Sequence, residues 1–141
     1  MNATNGDLFD QTMQKTYLWI SDLMKELHWQ DRHKAYLALR AVLQTLRDRL
    51  TVEEVAQLGA QLPMLVRGFY YEGWNPTGKP VKVRHQKEFF DHVKTYFKTD
   101  DNIAPEIVIR AVFKVVSKHV TEGEVDDVKQ ILPGELRALW P

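Results

Sequence analysis

Sliding the sequence against itself by 70 positions aligns its two halves without a gap. Residues 31–70 and 101–140 then share ten identities in forty positions, among them Arg40/Arg110, Ala41/Ala111, Val42/Val112, Thr51/Thr121, Glu54/Glu124, Leu62/Leu132, Pro63/Pro133 and Arg67/Arg137. Apolar character matches further upstream, where Trp19, Ile20, Leu23 and Leu27 fall on Phe89, Phe90, Val93 and Phe97. A chain of two like halves must satisfy the same local rules twice, and each half has the other to bury its apolar face against.

The period inside each half is helical. Leu39, Val42, Leu43, Leu46 and Leu50 trace one face of a helix, and Ile109, Val112, Phe113, Val116 and Val120 repeat it. Thr51-x-x-Glu54 and Thr121-x-x-Glu124 follow directly. In such a box the threonine oxygen accepts a first-turn amide and the glutamate reaches back to the cap amide, so a new helix starts at each. Pro63 and Pro133 then read as first-turn residues of short closing helices. The pattern predicts an all-α helical bundle from an internal duplication, two four-helix units of about 70 residues each. Its helices run over 7–28, 31–50, 52–62 and 63–72, then 85–98, 102–119, 122–132 and 133–140, with Asp31 as a helix cap. The expected organisation is a polar tail over 1–9, a first repeat over 10–72, a linker over 73–84 and a second repeat over 85–141, all in one compact domain. The linker is marked by two glycines and two prolines in Gly73–Pro80, and Val81–Arg84 is its one weak strand candidate.

Nineteen basic residues balance nineteen acidic ones, which removes the electrostatic argument for a dedicated nucleic-acid or membrane-surface protein. Zero cysteines exclude disulfides, thiolate metal ligands and cysteine nucleophiles. The longest hydrophobic run is Ala35–Leu39, against the roughly 20 residues of a membrane span. The polar first residues lack the apolar core of a secretory signal. These features predict a cytoplasmic protein.

The segment Leu62-Pro63, Val66-Arg67-Gly68-Phe69-Tyr70-Tyr71-Glu72-Gly73-Trp74-Asn75-Pro76, with the basic stretch through Arg84-His85 and Phe89, resembles the bacterial family called domain of unknown function 2267 (DUF2267). The closing Leu132-Pro133 and Leu136-Arg137-Ala138-Leu139-Trp140-Pro141 are similar to that family's last motif. The resemblance extends from about Asp10 to Pro141 and implies a small all-helical prokaryotic domain, with no reaction attached. Asn75 stands where the family carries an aspartate, which removes a charge from that position.

Three clusters are candidates for chemistry. Arg67, Tyr70, Tyr71 and Trp74 gather a guanidinium and three aromatic rings on one side of a helix. They suit a ligand or partner face, although core packing with the arginine on helix-end carbonyls stands ahead of it. Lys79, Lys82, Arg84 and Lys87 form a basic run beside Trp74, the combination that attracts single-stranded nucleic acid. His85, Glu88 and His92 share a helical face with the spacing of a weak metal site, although Phe89, Phe90 and Val93 mark the buried side. No phosphate-loop, dinucleotide or serine-hydrolase signature occurs, and no cofactor is implied. The reading is therefore binding rather than turnover. A protein partner or homo-oligomer stands ahead of nucleic acid at Lys82 and Arg84, and ahead of a metal-dependent enzyme at the histidine face.

Overall fold

In the computed structural model, which describes residues 6–98, 100 and 102–141, every regular element is an α-helix. In chain order these are α1 (Leu8–Leu27), α2 (Arg32–Arg49), α3 (Val52–Ala60), α4 (Met64–Tyr71), α5 (Gln86–Lys94), α6 (Pro105–His119), α7 (Glu122–Ile131) and α8 (Gly134–Arg137). The ends of α2 and α6 lie 70 positions apart, as do the starts of α3 and α7 and of α4 and α8.

Side-chain caps explain four of the eight starts. Asp7 accepts the amide of Asp10 at 2.7 Å, and Asp31 that of Lys34 at 3.1 Å. Thr51 and Thr121 accept the amides of Glu54 and Glu124 at 3.2 and 3.3 Å. Asp101, the sequence counterpart of Asp31, lies outside the described residues. The start of α6 comes later than the pattern predicts, at Pro105 with Ala104 as N-cap. Proline at the first position fixes its own φ and drives the residue before it out of the helical region. Pro63 and Pro133 likewise stand one place earlier than expected, as N-caps with ψ of 155° and 157°. Helix α5 ends at Lys94 rather than at residue 98, because Thr95 Oγ1 donates to the His92 carbonyl and the next amides tighten into three-residue turns.

The reciprocal half of each capping box is not made. The amide of Thr121 donates instead to Gln61 Oε1 at 2.9 Å, and both glutamates turn inward and are buried.

Helices α2 and α6 form the centre. The two pack on each other, and Leu39, Val42 and Leu46 of the one and Ile109, Val112 and Val116 of the other are all closed to solvent. Around this pair, α1 packs on both α2 and α6, α5 packs on the same two helices, and α3 lies against α7. Trp140 closes the far end by stacking on Phe113 with ring centroids 4.1 Å apart. No strand occurs among the described residues. Val81 and Val83 instead run extended along the end of α2, where the Val81 amide donates to Asp48 O and Arg49 Nε to Val83 O. No described helix is long and apolar enough to cross a membrane.

Candidate functional site

The aromatic and arginine face of α4 is spent largely on its own scaffold. Arg67 donates from Nε to the Gly59 carbonyl at 2.8 Å and from Nη2 to that of Leu62 at 2.9 Å, closing the open end of α3. Arg137 does the same for α7, to Lys129 at 3.0 Å and Leu132 at 2.9 Å. Tyr70 is fully buried and its hydroxyl donates to Val55 O at 2.8 Å, with burial pushing its ionisation far above the ordinary tyrosine range. The Tyr71 hydroxyl donates to the same carbonyl at 3.3 Å. That ring lies so close to α3 that a Cβ on Gly59 would stand 2.6 Å from its hydroxyl oxygen, which is why a glycine sits there. Trp74 is half-buried, with the Arg47 guanidinium 5.4 Å and the Lys79 ammonium 5.9 Å from its ring centre.

The linker cations Lys82 and Arg84 point to solvent on either side of the buried Val83. His85 caps α5, and its Nδ1 is 2.6 Å from Glu135 Oε2 on α8. That contact holds the imidazole above its ordinary pKa and the Glu135 carboxyl below its own. Glu88 turns back to the amides of Arg84 and His85, and His92 lies exposed beside a cleft of about 500 Å³ between α2, α5 and the linker. Two members of the histidine face are thus engaged in capping and pairing.

The pattern gave no reason to single out Gln44 and Arg47, which form a buried polar hub. Gln44 donates to Phe69 O at 2.7 Å and accepts from the Tyr96 hydroxyl at 2.8 Å. Arg47, 4% exposed, donates from Nη1 to Tyr70 O at 2.7 Å and Glu72 O at 3.0 Å and pairs with Asp48. The hub satisfies the carbonyls at the end of α4 that no following turn can reach.

Two further features were not read from the sequence. The first half of α1 leaves Leu8, Phe9, Met13, Tyr17 and Leu18 exposed by 40–77%. Phe9, Met13 and Tyr17 are spaced by four and form one stripe, while Leu8 and Leu18 edge a cleft of about 520 Å³ shared with Met64, Arg67 and His119. The second feature is a set of carboxylates, Glu54, Glu124 and Asp127, whose oxygens lie within 4.8 Å of one another.

Compared with known proteins, residues 16–139 match the family model described as "Uncharacterized conserved protein (DUF2267)". No curated protein matches the chain.

Proposed function

The chain belongs to the DUF2267 family, whose description assigns no activity, and we propose that it works as a helical interaction module that pairs with a second copy of itself through the first half of α1. The exposed stripe Phe9, Met13, Tyr17 carries this reading. Large exposed apolar side chains in register on one helix are a feature of association surfaces rather than of a solvated face.

The pattern is also self-complementary. From Leu8 to Leu18 the apolar positions read the same in both directions about Met13, with Leu8 matching Leu18 and Phe9 matching Tyr17. An antiparallel pair of α1 helices crossing at Met13 therefore sets Phe9 of each copy against Tyr17 of the other, the isologous arrangement of a twofold dimer. Arg32, whose guanidinium lies 4.6 Å from the Tyr17 ring centre, then comes within reach of Asp10 beside the incoming Phe9. With Phe9 77% exposed and Met13 and Tyr17 40% each, the stripe offers roughly 300 Å² per copy, counting a large side chain at about 150–250 Å². A standard stable interface uses roughly 800 Å² per partner, so the pairing is weak and reversible.

The same proposal treats each protomer as a fused pair of four-helix units, residues 10–72 and 85–141 joined by 73–84. The helix pairs that join the halves support it. Exchanging each helix for its counterpart turns α1–α6 into α5–α2 and returns α2–α6 and α3–α7 to themselves, as a twofold relation requires. Lys82 and Arg84 remain solvated charges in this reading, and Trp74, flanked by Arg47 and Lys79, is a packing residue and not a stacking platform for nucleic acid.

Sedimentation equilibrium over a wide concentration range tests the pairing. The expected result is a reversible monomer–dimer equilibrium for the native chain and a monomer for Phe9→Ser/Met13→Ser at unchanged helicity. A native chain that stays monomeric at every concentration, or a double variant that dimerises as well as the native chain, overturns the reading.

A further inference from the structure

The contact between α3 and α7 buries one acid from each half. Glu54 and Glu124 stand at matching positions, each the third residue of a helix capped by threonine, and they are 5% and 7% exposed. Glu54 Oε1 and Glu124 Oε2 have no hydrogen-bond partner among the described residues. Buried oxygens without a donor are strongly disfavoured, and two carboxylates this close and this dry do not both ionise.

Among the described residues, no counter-charge acts on the pair. Glu53 on α3 and Glu122, Asp126 and Asp127 on α7 add negative charge. From α4 come Tyr70 and Tyr71, whose hydroxyls are given to the Val55 carbonyl. Arg47 of α2 is committed to the Tyr70 and Glu72 carbonyls and to Asp48, and at the end of α6 Lys118 and His119 pair with Asp22. A proton or a cation has to supply what the fold does not. Both glutamates lie in the first turn of a helix, where the macrodipole favours residual negative charge and opposes a bound cation.

We propose that Glu54 and Glu124 share one proton, Glu54 donating to the Glu124 carboxylate, and that losing this proton at alkaline pH loosens α3 from α7 and makes the joint between the halves pH-sensitive. Burial, then the hydrogen bond and charge of Glu124, then the charge of Asp127 push the Glu54 carboxyl up to about 8. In the unfolded chain the same group ionises near its ordinary 4.5. Between those values the folded protein holds one proton more than the unfolded one, so stability is full below the lower value and falls as pH rises to the upper one. The unfolding equilibrium constant gains about tenfold per pH unit across that window.

Urea unfolding of the full chain from about pH 5 to about pH 9 measures this dependence. Glu54→Gln and Glu124→Gln each provide a carboxamide that donates to the remaining carboxylate with no proton to lose. The tenfold-per-unit component is expected in the native chain and absent from both variants. An unchanged pH dependence in both variants overturns the proposal. So does a rise in the native midpoint with calcium or magnesium alone that disappears in Asp127→Asn, which would put a cation where the proton is placed. Should neither glutamine variant fold, carbon-13 titration of the native glutamate carboxyls decides. One signal titrating near 8 supports the shared proton, and all of them titrating in the ordinary range overturns it.

Discussion

His28 ends α1 in the left-handed region at φ 57°, and the Trp29 amide returns to the Met24 carbonyl at 3.0 Å. A residue with a Cβ is strained there, and glycine is the usual occupant because it is not. Since the imidazole is exposed, its removal exposes no core. His28→Gly is expected to raise stability by about 0.5–1 kcal/mol, read as a higher thermal midpoint at unchanged helicity. A fall in the midpoint would mean that the ring holds the turn. At this scale the sequence reveals short-range chemistry and conceals what distance decides. Asp31 followed three places later by an amide in need of an acceptor is legible as a cap, because both partners lie within one turn. Glu54 reads as half of a capping box by the same logic. What draws it inward is α7, which arrives 70 residues later. Gln44 and Arg47 were hidden for a related reason, since the carbonyls they satisfy belong to the end of α4.

Among the elements, the helix faces were legible because each apolar stripe has the helical period, whereas the boundaries depended on single residues. Pro105 sets the start of α6 against a pattern that runs back to Asn102. The ends of α3 and α7 are set by arginines that come from the following short helices. Arg67 reaches three carbonyls, those of Gly59, Ala60 and Leu62, and Arg137 reaches two, those of Lys129 and Leu132. Both guanidiniums are exposed, so each bond is partly replaced by water when it is lost. Arg67→Ala is expected to cost about 1–2 kcal/mol and Arg137→Ala about 1 kcal/mol, measured by urea unfolding. Lysine at either place recovers little, because an ammonium lacks the planar fork that addresses two carbonyls at once. Equal loss in the two alanine variants, or full rescue by lysine, would contradict this account. The exposed stripe of α1 escaped the sequence reading because Phe9, Met13 and Tyr17 follow the same period as a buried face. Which of two apolar stripes on one helix meets the core is decided by the neighbouring helices and not by the spacing.

Across the whole molecule, the two halves meet through the helix pairs α2–α6, α1–α6, α2–α5 and α3–α7. Helix α2 packs on α6 and α1 packs on both, and Leu39, Val42 and Leu46 of α2 and Leu23 of α1 are all fully buried. Separating the two halves would expose these side chains, at about 25 cal/mol for each Å² of apolar surface returned to water. A unit of roughly 70 residues has little stability in reserve, since small domains bury a smaller share of their surface. Residues 1–76 alone are therefore expected to lose the cooperative melt of the full chain and to retain only partial helicity by circular dichroism. Adding residues 77–141 in equal amount is expected to restore both, because the central α2–α6 contact and the flanking α1–α6 and α2–α5 contacts can re-form without the covalent link. If residues 1–76 melted cooperatively at the full chain's temperature, the halves would be independent domains and α2 would need no partner. If the mixed fragments failed to recover the melt, the covalent connection between Pro76 and Thr77 would be needed for the halves to find each other, and the shared core alone would not hold them together.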